Sequence, residues 1–225
     1  MVKLFVSDVD GTLINDKREL STGTIDAIRR AHDRGVNFML ATGRMHYGAT
    51  IEWEKIGLNI PMIASQGAVI YNPADGTFLR KRKLSKDIVM KLIDFAEDRD
   101  LYIHVYTEET FHYNKLTKFT PMYEATSNIK GIHDENIRDC VEPDGSYKFL
   151  IVEKADKMPE LQRECEAIFG EEAAITRSTP IMLEFLAKGV SKGAAVIDYA
   201  DMCGISKEEI ICCGNELNDV EMIRA

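Results

Sequence analysis

The sequence predicts an α/β fold. A parallel sheet with flanking helices is built from both ends of the chain and interrupted by an inserted α+β unit. Three observations predict it. Short apolar runs alternate with amphipathic helical patterns over the first 80 or so residues. The same alternation resumes after about residue 188. Between the two, strand patterns follow one another directly, which marks a separate unit. The boundaries read from this are 1–82 and 188–225 for the core and 83–187 for the insertion.

Leu4 to Ser7 is an apolar run stopping at a polar turn, as a buried parallel strand does. Ser21 then offers an N-cap, Ile25, Ile28 and Ala31 share a helical face, and Gly35 stands at the C-cap. Val36 to Ala41 is the second strand, Met45 to Ile56 has helical character, Met62 to Ala64 is a third strand and Val69 to Tyr71 a fourth. The basic run Arg80-Lys81-Arg82-Lys83 reads as a solvated linker.

In the insertion, Ser85 caps a helix carrying Ile88, Val89, Leu92, Ile93 and Ala96. Strands follow at Tyr102–Tyr106 and Phe111–Tyr113. After a polar stretch come a strand at Tyr147–Val152, a helix from Pro159 to Phe169, and strands near Ala174–Arg177 and Met182–Phe185. A helix from about Ser191 to Met202 ends at Gly204, Ser206-Lys207-Glu208-Glu209 forms a capping box, and Ile210–Cys213 is an apolar, buried strand.

Composition narrows the function. The chain has 225 residues, 45% hydrophobic and 29% charged, which is enough apolar material for one large core or two modest ones. Its net charge of −9 excludes a general nucleic-acid binder, which needs clustered Lys and Arg. No apolar stretch approaches the ~18 residues that span a bilayer, and Asp8 interrupts what a signal peptide would keep apolar. Five scattered cysteines without CxxC spacing read as free thiols, so a reducing cytoplasm is expected. No GxGxxG and no GxxxxGK[ST] is present, so nicotinamide and P-loop nucleotide chemistry lack their signatures.

Four segments carry chemistry. Asp8 and Asp10, two apart on extended chain, converge at the carboxyl end of the first strand, where open α/β sheets place their sites. Two such carboxylates repel unless a cation or a shared proton relieves them, and oxygen-only ligands favour magnesium. Ala41-Thr42-Gly43-Arg44 ends the second strand with a hydroxyl, a close backbone approach and a guanidinium, a set suited to phosphate. Gly189-Val190-Ser191-Lys192-Gly193 puts a lysine where the helix dipole disfavours a cation, so something anionic selects it. Gly214-Asn215-Glu216-Leu217-Asn218-Asp219 adds further oxygen ligands after the last strand. Each segment alone passes for a turn or a cap.

Together, in this order and at these strand ends, they resemble the haloacid dehalogenase superfamily, and within it the Cof-type sugar-phosphate phosphatases with an α/β cap inserted after the second motif. The resemblance covers nearly the whole chain. It implies a Rossmann-like core and a cap that closes over the substrate. It implies a Mg2+-dependent phosphatase acting on a small phosphorylated metabolite such as a sugar phosphate. Asp8 would be the nucleophile and Asp10 the general acid and base. Thr42 and Lys192 would hold phosphoryl oxygens, with the backbone amides of Val9 and Gly43 and the side chain of Asn218. Asp8, the carbonyl of Asp10 and Asn215 would hold the metal, and Arg44 would face the substrate or the cap. A phosphomutase-like transferase, or a phosphometabolite-binding homologue with little turnover, are the rival readings. The partner is a small molecule rather than nucleic acid or membrane, and the assembly a monomer or small homo-oligomer.

Three departures from the family pattern stand out. Asn215 occupies a metal position that is usually Asp, so metal affinity should fall, with Glu216 or Asp219 as compensating ligands. The sequence runs to Ala225, six residues after Asp219, which leads one to expect a sheet left short at one edge and lower stability. Ser65-Gln66-Gly67-Ala68 stands where an Asn-Gly pair is more common.

Overall fold

A computed structural model describes all 225 residues. The chain divides into two compact units, Met1–Lys81 with Ser191–Ala225, and Arg82–Val190.

The first unit is a six-stranded sheet with helices on both faces. Its strands are β1 (Leu4–Asp8), β2 (Asn37–Ala41), β3 (Met62–Ala64), β4 (Val69–Asn72), β5 (Thr77–Lys81) and β12 (Ile210–Cys213), in the order β12-β1-β2-β3-β4-β5. The first four in that order run parallel, while β4 and β5 form an antiparallel hairpin at the far edge. The parallel sheet expected from the alternation is therefore a mixed one.

Alternation along the strands assigns the two faces. Leu4, Val6, Met39 and Ala41 pack on α6 (Lys192–Cys203) through Ala195, Val196 and Tyr199. Phe38 and Leu40 face α1 (Thr22–His32) and α2 (Thr50–Ile56) through Ile28 and Ile56. β1 lies between β2 and β12 in direct register, with Asp8 opposite Ala41 and Ser7 opposite Cys213. The loops after β1, β2 and β12 therefore leave the sheet side by side. That adjacency positions the site.

Several expectations need correction. Arg80 and Lys81 lie on β5, not in a linker, and Arg80 forms a 2.6 Å ion pair with Asp198 of α6. β12 is an edge strand, so Ile211 is 41% exposed where a buried strand was expected. The Met45–Ile56 segment divides into a 3-10 turn at His46–Ala49 and the helix α2, with Ala49 at φ −109° and ψ −1°, off α-helical values, between them. α1 is capped by Ser21, whose hydroxyl accepts from the Thr24 N–H, but its C-cap is Asp33, and Gly35 supplies a left-handed residue beyond it.

In the inserted unit the strands are β6 (Tyr102–Tyr106), β7 (Phe111–Tyr113), β8 (Ile132–His133), β9 (Phe149–Val152), β10 (Ala173–Thr179) and β11 (Met182–Ala187), ordered β10-β11-β9-β6-β7-β8. α3 (Lys86–Glu97) and α5 (Met158–Phe169) cover one face through Val89, Leu92, Ile93 and Cys165 against Ile103, Val105, Phe149 and Ile151. α4 (Phe119–Ser127) and β8 carry no helical or strand periodicity that the sequence reading detected. α4 has no side-chain cap and ends at Asn128 in the left-handed region. β9 begins at Phe149, two residues beyond the expected start at Tyr147, because the Ser146 hydroxyl enters the ladder and accepts from the Tyr106 N–H at 3.0 Å.

The second face of this sheet is polar beneath its surface. Lys148 and Glu184 are both buried, with Nζ 3.5 Å from Oε2, while the Ser178 hydroxyl donates to Glu184 Oε1 at 2.6 Å. Lys148 also stands 4.6 Å from the centre of the Tyr106 ring. Removing one partner strands the other charge without water. Lys148→Met should therefore destabilise the protein by about 3–5 kcal/mol in chemical unfolding, whereas Lys148→Met with Glu184→Leu should recover most of the loss. A double variant as unstable as the single one contradicts that account.

Candidate active site

The parallel register brings Asp8, at the end of β1, to the same sheet edge as the loops that begin at Thr42 and Gly214. α6 adds its first residue. Ser191 caps the helix by accepting from the Ala194 N–H, which leaves Lys192 in the first turn with 1% of its surface exposed.

Lys192 Nζ donates to Asp8 Oδ1 at 2.6 Å and to Asp219 Oδ1 at 2.7 Å. The anions that select this lysine, against the helix dipole, are thus two buried carboxylates. Burial is the largest influence on Asp8 and pushes its carboxyl above its ordinary value, with Asp219 adding to the rise. Lys192 and the Val9 backbone N–H oppose it without reversing it.

Asp219, expected to compensate as a metal ligand directly or through water, is bonded on both oxygens within the protein. Its Oδ1 is held by Lys192, and its Oδ2 accepts from the backbone N–H groups of Asn215 and Glu216 at 3.0 and 3.1 Å. A carboxylate so occupied folds the Gly214–Asp219 loop and neutralises Lys192. Asn215 itself lies against the loop after β1, its Oδ1 accepting from the Thr12 hydroxyl at 3.0 Å.

Arg44, expected to face the substrate or the cap, is bonded to Asp10. Its guanidinium is buried and donates Nε to Asp10 Oδ2 at 2.8 Å, with a second, shorter contact to Asp10 Oδ1. Nη1 reaches the Gly48 carbonyl at 3.1 Å and the buried Glu52 at 3.4 Å. Burial alone would lower the Arg44 pKa, but the bonds and charges of Asp10 and Glu52 prevail and raise it. Arg44 therefore orients Asp10, whose side chain keeps 41% exposure. Glu52 gave no signal in the sequence, because a glutamate in a helical first turn is ordinarily solvated.

Thr42 is fully buried, and its Oγ1 accepts from the Arg44 N–H at 3.1 Å, leaving the hydroxyl proton available. Gly43 is required by close approach, since a Cβ there would collide with Gln66 Nε2. Asn218 donates Nδ2 to Gln66 Oε1 at 3.0 Å. Val9 is buried directly after Asp8. Gln66 and Gly67 continue the loop in left-handed conformations, and a Cβ at Gly67 would meet the Ser191 carbonyl.

The donor set fits a hard divalent cation. The carboxylate of Asp8, the carbonyl of Asp10 and the amide oxygen of Asn215 are all oxygens, and Asn215 Oδ1 keeps a second lone pair beyond its bond to Thr12. Asp8, Asp10, Glu52 and Asp219 face only two cations, Lys192 and Arg44, so the cluster carries an excess of negative charge. A divalent metal ion answers that excess and makes room for an anionic ligand beside it.

The chain is similar to known hydrolases and phosphatases. The family model for haloacid dehalogenase-like hydrolases matches residues 5–225. A Bacillus subtilis protein, 5-amino-6-(5-phospho-D-ribitylamino)uracil phosphatase YitU, is 26% identical over 98% of this chain and 82% of its own. Among solved structures, a haloacid dehalogenase-like hydrolase from Bacteroides thetaiotaomicron superposes with TM-score 0.87 at 24% identity, covering 100% of this chain and 85% of that one. A second, from B. subtilis, gives TM-score 0.89 at 22% identity, covering 99% and 86%.

The raised pKa of Asp8 has a consequence for stability. The folded protein binds a proton there more readily than the unfolded chain, so stability falls as pH rises through the folded pKa. Asp8→Asn removes the buried charge while leaving Lys192 paired with Asp219. At pH near 7, without ligand, Asp8→Asn should melt at a higher temperature than the native chain. The gap should close below about pH 3.9, where Asp8 is protonated in both states. A variant that melts lower at neutral pH contradicts this assignment.

Proposed function

Since the chain belongs to the haloacid dehalogenase-like hydrolase family and is a phosphatase, we propose that it hydrolyses small phosphorylated metabolites, sugar phosphates foremost, through a phosphoryl group carried on Asp8. The observation that carries this reading is the buried Asp8–Lys192–Asp219 cluster at the carboxyl edge of the sheet. The sugar-phosphate class is supported by the relative named for a phosphorylated ribityl compound.

Lys192 holds Asp8 by one oxygen and directs the carboxylate at phosphorus. A carboxylate oxygen of Asp8 attacks, the bond from phosphorus to the leaving oxygen breaks, and the electron pair departs with that oxygen. Asp10, the more exposed of the two aspartates, carries a proton on an oxygen released from Arg44 and gives it to the leaving oxygen. It then takes a proton from the water that attacks phosphorus in the second step. The Asp8–phosphorus bond breaks and inorganic phosphate forms. The Thr42 hydroxyl, the Lys192 ammonium and the amides of Val9 and Gly43 are the donors that meet the phosphoryl oxygens, and positioning with charge stabilisation supplies most of the rate. Mg2+, held by Asp8, the Asp10 carbonyl and Asn215, would neutralise charge on the phosphoryl group. The inserted unit is the source of selectivity for the leaving group. The five free cysteines accord with a reducing cytoplasm, and no helix is long and apolar enough to cross a membrane.

Phosphate release from a panel of sugar and nucleotide monophosphates, with Mg2+ and with excess chelator, tests the proposal. Turnover should require the metal. Asp8→Asn should lower the rate by about a thousandfold or more, or about 4 kcal/mol of transition-state stabilisation. Asn215→Asp should lower the Mg2+ concentration giving half-maximal rate. Full activity in chelator, or in Asp8→Asn, contradicts the mechanism. Transfer to an added sugar in place of water would identify a transferase.

A further inference from the structure

Gln66 has no role in the mechanism above, yet it sits where two groups expected to meet a phosphoryl oxygen come together. Its side chain is buried, at 1% exposure. Its Oε1 accepts from Asn218 Nδ2 at 3.0 Å, and its Nε2 lies against Gly43, where any Cβ would collide with it. Nε2 has no hydrogen-bond partner, and neither does Asn218 Oδ1. Buried polar groups are seldom left so, and water, an ion or a ligand is their usual partner.

The backbone around Gln66 is fixed from several sides. Ser65 (φ 49°) and Gln66 (φ 58°) are consecutive non-glycine residues in the left-handed region. The Ser65 N–H donates to the Arg44 carbonyl at 2.7 Å and the Gln66 N–H to the Thr42 carbonyl at 3.0 Å. Gly67 then packs on the Ser191 carbonyl at the start of α6. Strain of this kind persists where neighbouring structure over-determines the conformation.

We infer that Gln66 is a positioning residue of the anion site, which holds the Asn218 amide and, paired with it, offers the site one N–H donor. Two primary amides joined by a single hydrogen bond can turn over together and keep that bond. In either orientation one NH2 group and one carbonyl oxygen remain outward, the NH2 belonging to Gln66 beside Gly43 or to Asn218. An arriving phosphoryl oxygen selects the orientation that presents NH2 to it. The inference rests on the phosphatase reading and adds to it a residue outside the four motifs.

The test uses the full chain with inorganic phosphate as binding probe and p-nitrophenyl phosphate as substrate. Q66L removes the amide, and Q66E keeps the shape and the acceptor for Asn218 but sets a carboxylate beside the anion. Both should raise the Kd for phosphate and the KM by about tenfold or more, with kcat changed less and the ligand-free melting temperature shifted by only a few degrees. The Q66E defect, measured against the native chain at the same pH, should shrink as pH falls from about 8 towards 5, because burial beside an anion raises the introduced carboxyl and its protonated form again donates. A purely structural role would lower the melting temperature and show no such pH dependence. Folded variants with Kd and KM within twofold of native overturn the inference and leave the phosphatase reading intact. A native chain that neither binds phosphate nor releases it fails both. Should Q66L not fold, the pH dependence of Q66E decides alone.

Discussion

The buried ammonium of Lys192 is the interaction on which the site depends. It joins residues 8, 192 and 219, three points far apart in the chain, at distances of 2.6 and 2.7 Å. Without it, Asp8 and Asp219 would be two like charges in a dry environment, each costing several kcal/mol to bury. With it, Asp219 can spend its other oxygen on the backbone of the Gly214–Asp219 loop, and Asp8 is pinned at the end of β1. One cation therefore sets both the shape of a loop and the orientation of Asp8.

A second ion cluster has the same logic on the other aspartate. Arg44, buried with Glu52, holds Asp10 from the end of β2. The two clusters differ in exposure, and that difference separates two carboxylates only two residues apart in sequence. Asp8 is dry and fixed, which suits an attacking group, whereas Asp10 keeps contact with solvent, which suits a group that must exchange protons. The sheet register makes this possible, since β1 lies between β2 and β12 and all three end at one edge.

Most of the core was legible because strands and helices there announce themselves by period and cap. Ser21, Ser85 and Ser191 all accept from the backbone N–H three residues on, as expected of N-caps. The segments the reading missed lack those signals. β5 alternates exposed and half-buried residues within a basic run, and its Arg80 is retained by Asp198, which lies over a hundred residues away. α4 has no side-chain cap, and its buried face is set by tertiary contacts such as the Tyr102–Thr120 hydroxyl pair at 2.8 Å. Within the site, residue types pointed to the right loops but not to who pairs with whom. Arg44 suits phosphate equally well as it suits Asp10, and only the fold reveals that it is already committed. Asp219 likewise has ligand chemistry, and only the fold shows its four-residue reach back to the Asn215 N–H.

The central claim is that Asp8 carries the phosphoryl group between the two steps. Rapid mixing of the native chain with substrate and Mg2+, an acid quench within the first turnover, and mass spectrometry of the peptides tests it directly. The account predicts a phosphoryl group on the peptide containing Asp8, appearing before free phosphate reaches its steady rate and absent from Asp8→Asn. Turnover with no phosphoryl group on that peptide, or with the group on another residue, would contradict it.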